Sequence, residues 1–184
     1  MRFPPFFKII NMACVLTTGF AEECDDSLGG IKAGQFLIGQ LDTVDTSTVV
    51  AGEVTVLTQV LATNFYRYWM KKETANAVCT STKDPMTGTF VTETVVTAMI
   101  QKLTAAKNVE FKLLAGKPLV IIYQDQNGIW HCAGLTNGAE LLSQAAQTGQ
   151  TLNEQNGYTL TFTAREGHLP YTVDATVVAG LTIV

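Results

Sequence analysis

The sequence predicts a mainly β protein: an antiparallel β-sandwich or barrel with one flanking α-helix at about residues 101–115. Three observations carry that prediction. The run from Lys117 to Gly134 is a β-hairpin in outline, with apolar Leu119–Tyr123, a turn at Asp125-Gln126-Asn127-Gly128, and a returning Ile129–Ala133. Asn127 and Gly128 suit the turn because Gly and Asn reach positive φ at little steric cost. A second block follows the same grammar: Asn156-Gly157 is a turn that opens into Tyr158–Ala164, where Tyr158, Leu160 and Phe162 alternate with Thr. One stretch, Gln101–Ala115, is the good helix candidate, through the spacing of Leu103, Ala106, Glu110 and Leu114, with Gly116 where a C-terminal cap belongs. The alternating Val109, Phe111 and Leu113 argue against helix along its whole length.

Along the chain, residues 1–30 read as an irregular N-terminal arm ending in the turn-rich Asp25–Gly30, and residues 31–184 as the β domain. Residues 31–41 are apolar with Gly34 and Gly39 interspersed, the pattern of a bent or bulged strand. Thr43–Thr48 reads as a polar loop and Glu53–Thr58 as a strand. Phe65–Trp69 is an aromatic cluster of strand type. Thr74–Met86 is small and polar and closes in a turn at Lys83–Gly88, before a long Thr/Val strand at Thr89–Ile100. Residues 137–157 suit either a short helix or an edge strand, because Leu141, Leu142, Ala145 and Ala146 fit both. After a turn at Glu166-Gly167 comes an apolar tail, Leu169–Val184.

At 184 residues the chain is long enough for one domain with a substantial core. Apolar residues make up 47% and charged residues only 15%, which excludes disorder and leaves a neutral polar surface suited to subunit contacts. The net charge of −4 argues against broad attraction to nucleic acid. Cys14, Cys24, Cys79 and Cys132 form no zinc-type spacing and read as free thiols, a Cys14–Cys24 bridge being the alternative. No uninterrupted apolar run reaches the roughly 20 residues of a membrane span. The apolar start, broken by Lys8 and Asn11, lacks a clean cleavage site and is expected not to be a signal peptide. Met12 is an alternative start.

Catalytic candidates are few. His131 lies between Trp130 and Cys132, so strand alternation points it away from the thiol. His168 sits in a turn, and Asp25-Asp26 is ordinary loop chemistry. Asp125-x-Asn127-Gly128 lacks the distant Glu of a calcium loop. Arg67, Lys71 and Lys72 beside Tyr66, Tyr68 and Trp69 combine cations with aromatics as single-strand-binding faces do; a core edge or subunit contact accounts for them more simply. No catalytic residue, cofactor or metal is expected.

The segments Asp125–Trp130, Asn156–Thr163 and Cys24–Ile31, in an order of strand, helix, apolar strand and hairpin, resemble the tube-forming major tail proteins of tailed bacteriophages, over about residues 12–173. The resemblance implies a virion protein that assembles with itself into hexameric rings. Those rings stack into a tail tube through which DNA passes as cargo, with loops and arms reaching the neighbouring ring and other virion proteins. On that reading Phe3, Phe6, Phe7, Val15, Leu16 and Phe20, too apolar for a solvated tail, form an inter-subunit arm. The alternatives are another virion component (tail terminator, connector or head decoration protein) or a secreted β-sandwich binding module.

Overall fold

The computed structural model describes residues 19–20 and 27–184. Its elements in chain order are β1 (Ile31–Gln40), β2 (Val44–Val50), β3 (Glu53–Gln59), β4 (Tyr66–Arg67), β5 (Ala75–Lys83), β6 (Phe90–Gln101), α1 (Ala105–Leu114), β7 (Leu119–Asp125), β8 (Trp130–Ala133), β9 (Ala139–Gln147), β10 (Gly157–Glu166), β11 (Tyr171–Val173) and α2 (Ala175–Gly180). The chain is mainly β, as expected. Its eleven strands form one continuous sheet that stays open, with β2 and β5 at its ends, so it is not a closed barrel. Nor is it purely antiparallel, because β3 and β11 pair in parallel through Thr172–Glu53 and Val173–Val54.

The sheet turns a corner at β7. Along most of its length β7 pairs with β1 on one side and β8 on the other. At Leu119, which is still paired with Gln40 of β1, β9 takes the place of β8 through its first residue, Ala139. The order β9-β10-β6-β5 then continues as a second layer. Phe36, Ile38, Leu119, Ile121 and Tyr123 from the first layer share a core cluster with Val96, Ala98, Leu160 and Phe162 from the second. The opposite face of the first layer offers Leu37, Val120, Ile122, Trp130 and Cys132 to a second cluster closed by Phe65, Val178 of α2 and Leu181. Alternate side chains of β7 thus enter different cores. That is why Leu119–Tyr123 reads as an unbroken apolar run, the signature of a strand buried on both faces.

The bulge expected in residues 31–41 falls between Ile31 and Phe36, where the ladder to β7 breaks register. The ring of Trp69 lies against Gly34 there, where any Cβ would overlap it. The helix is shorter than the sequence implies. Gln101 still belongs to β6, Lys102 takes φ 67, and the Thr104 side chain accepts from Lys107 N–H as the N-cap. Phe111 and Leu114 are the helix's buried residues, whereas Val109 and Leu113, one turn apart, are exposed. Their alternation with Phe111 is therefore the helix's two faces and not a strand.

The structure settles four segments that the sequence leaves open or reads as loop. Thr43–Thr48 is mostly strand β2, and the small, polar Thr74–Met86 contains strand β5. Of the two alternatives for residues 137–157, residues 139–147 take the strand, β9. The apolar tail holds a second helix, α2, capped by Asp174, whose Oδ1 accepts from Thr176 N–H at 2.8 Å.

Candidate assembly surfaces

The turn after β7 is built by Asp125. Its carbonyl accepts from Gly128 N–H at 3.2 Å, and its Oδ1 accepts from Ile129 N–H at 2.9 Å. Gly128 has φ 91 and nothing within 4 Å of a would-be Cβ, so the backbone conformation alone selects glycine. Asn127 does not share that conformation, contrary to the expectation for a two-residue turn. Its side chain instead clamps the incoming chain: Oδ1 accepts from Leu28 N–H at 2.8 Å, and Nδ2 donates to Ser27 Oγ and the Leu28 carbonyl. Gln126 adds donors to the carbonyls of Gly30 and Ile31. The hairpin tip is thus where residues 27–31 are tied to the domain.

Asn156 and Gly157 are not a hairpin turn. A loop at residues 148–156 joins β9 to β10, and Gly157 is the first residue of β10. A Cβ on Gly157 would overlap the Ile100 carbonyl oxygen, so close backbone approach is what requires glycine. The Asn156 carbonyl accepts from Lys102 N–H at 2.8 Å and its side chain from Leu103 N–H at 3.3 Å, which pins the junction between β6 and α1.

The second layer leaves its outer face uncovered. Across β5, β6, β10 and β9, one row there is Asn76, Thr97, Thr161 and Ser143, and the next is Val78, Val95, Thr163 and Glu140. Thr80, Glu93 and Arg165 follow, with Glu93 and Arg165 in an ion pair at 2.8 Å. The face is therefore a Thr/Val surface with little net charge. Thr163 Oγ1 is buried on it without a hydrogen-bond partner and borders a cleft of about 280 Å³ with Glu140 and Leu142. At the layer's margin β5 pairs with β6 alone, so its outer edge carries no partner strand among the described residues. β9 meets β7 only at its first residue and has no partner strand along the rest of that side among the described residues. Such edges are templates for pairing with another chain.

The chemistry-bearing side chains fall elsewhere. His131 and Cys132 face opposite cores, as alternation requires. Cys132 is fully buried, and that burial, with the Glu166 carboxylate nearby, pushes its thiol well above the usual range. His131 stacks on Tyr123 at 5.3 Å and its Nε2 lies 3.3 Å from Asp125 Oδ2. The thiol that approaches this pair is Cys79, exposed on β5 and lining a cleft of about 370 Å³ with Tyr123, Asp125 and His131. The packing of the two layers against each other brings it there, which no local spacing announces. Thr94 Oγ1 donates to Cys79 Sγ at 3.7 Å. Glu166, buried, accepts from Gly134 N–H at 3.1 Å and Thr136 N–H at 2.8 Å and holds the connection between β8 and β9. His168 stacks on Tyr171.

Among the described residues no three His, Cys, Asp or Glu side chains group to hold a metal ion, and no helix is long and apolar enough to cross a membrane. Of the six arm residues, Phe3, Phe6, Phe7, Val15 and Leu16 lie outside the described residues, while Phe20 is 95% exposed. Comparison with protein families, with curated proteins and with solved structures found no match.

Proposed function

We propose that this chain is a structural subunit of a tailed-phage virion, a tail tube protein that assembles with copies of itself into stacked rings and performs no catalysis. The observation that carries the reading is the second layer: an uncovered, nearly neutral face on β9-β10-β6-β5, bounded by the unpartnered edge of β5. A monomer would leave that row of backbone donors and acceptors to water. Closing a ring edge to edge satisfies them with like strands. The orphaned Thr163 Oγ1 on the same face supports a surface that meets another protein. A low charge content, with DNA as passing cargo, suits a conduit wall that must not hold nucleic acid.

Negative-stain microscopy of the purified protein, with light scattering at high concentration in physiological salt, tests this. Hexameric rings or tubes are expected. Small closed oligomers without tubes would favour a connector or head decoration protein, and a monodisperse monomer would count against self-assembly altogether.

A further inference from the structure

A groove of about 510 Å³ runs between the segment after β4, the end of β6 and α1. Buried Met70, Ile100 and Phe111 form its apolar base. Four of the chain's twelve lysines and arginines line it, namely Arg67, Lys71, Lys102 and Lys107, against one carboxylate, Glu110, which accepts from Tyr68 Oη at 3.1 Å. This concentration of cations stands in a chain of net charge −4. Lys107 Nζ is engaged by the carbonyls of Gln101 and Lys102. The other three cations make no ion pair among the described residues, and Arg67 Nε is buried without any partner. Trp69, 69% exposed, stands at the rim.

We infer that this groove is the docking site for the acidic segment of a second copy of the same chain, Phe20-Ala21-Glu22-Glu23-Cys24-Asp25-Asp26. The inference deepens the assembly reading and rests on it. Charge complementarity selects the occupant: four carboxylates within five residues follow an aromatic side chain, opposite three unpaired cations beside an apolar base. Phe20 selects the copy, because at 95% exposure its ring is seated on none of the described residues of its own subunit. In the docked state the Phe20 ring packs against Trp69 and the apolar base, and the carboxylates meet Arg67, Lys71 and Lys102. Unpaired Arg67 Nε gains an acceptor that its own subunit does not supply.

Two full-length variants test this. One reverses the groove (Lys71→Glu with Lys102→Glu), and the other reverses the segment (Glu22→Lys, Glu23→Lys, Asp25→Lys and Asp26→Lys). Sedimentation velocity at low salt should show each alone losing association, and their equimolar mixture regaining it. A mixture restores matching charges only if the contact is between subunits. Both variants assembling like the unmodified chain, or a mixture that regains nothing, would overturn the inference. A synthetic peptide of residues 17–28, kept reduced and titrated against tryptophan fluorescence, separates this from the fate of the tube reading. It should bind the unmodified chain and lose about tenfold or more in affinity on the groove-reversed variant. Binding without rings would sink the tube and keep the groove. Rings without peptide binding, with unaltered assembly of both variants, would do the reverse. A mixed-sequence single-stranded oligonucleotide that binds the groove where the peptide does not would assign it to another partner and overturn the inference.

Discussion

At Asp125 one side chain holds a turn and a histidine together. Burial pushes its carboxyl upward, but the Ile129 N–H, the hydrogen bond and charge of His131, and the Asn127 N–H outweigh it, and the group sits below its usual value. A carboxyl with a depressed folded value contributes stability that is present above its unfolded value, about pH 4, and is lost as pH falls through the folded one. The Asp125→Asn variant should therefore melt below the unmodified protein at neutral pH, and the difference should shrink towards zero as the pH drops below about 4. A gap in melting temperature that stays constant from pH 7 to pH 3 would show that the carboxylate charge is not what organises the turn. Asn127 beside it shows a limit of reading by residue type. The Asn-Gly pair marks the turn correctly, yet only Gly128 takes positive φ, while Asn127 is occupied with Ser27 and Leu28, 100 and 99 residues away in sequence.

Elements were readable in proportion to how much of their own surface they bury. β7 and β10 carry their burial in their residue patterns, as a continuous apolar run in the first and Tyr/Leu/Phe alternating with Thr in the second, whereas β6 alternates in burial but buries Thr92 and Thr94 on its inner face. β5 buries only Ala75, and β9 only Ala139, so neither has an alternating apolar face; both are strands because β6 and β10 pair with them. Helix-like spacing of Leu141, Leu142, Ala145 and Ala146 was overridden in the same way. In α1 the spacing located a helix but missed Phe111, its main anchor, which packs edge-on against Tyr158 at 4.8 Å. Phe111→Ala should cost about 3–5 kcal/mol in a denaturant melt. Val109→Ala, on the exposed face, should change stability by no more than about 0.5 kcal/mol. Comparable losses at the two positions would mean that the helix is rotated relative to the core.

For the whole molecule, composition cannot say which surface the proposed assembly would use, because that depends on which faces the fold leaves uncovered. The first layer is sandwiched between two core clusters, whereas the second is covered on one side only. The groove cations Lys102 and Lys107 likewise join Arg67 and Lys71 only after the chain has passed through β5 and β6. Val78 distinguishes folding from assembly most cleanly. It is 53% exposed on β5, opposite Val95, on the outer face and next to the open edge. A lysine there meets mostly water in the single subunit, so Val78→Lys should leave stability within about 0.5 kcal/mol. Against a neighbouring copy it places an unpaired charge in a Thr/Val contact, which desolvation makes costly. The expected outcome is an unchanged melt together with loss of rings and tubes in light scattering and microscopy. If Val78→Lys assembles as the unmodified chain does, the β5 margin is not the contact.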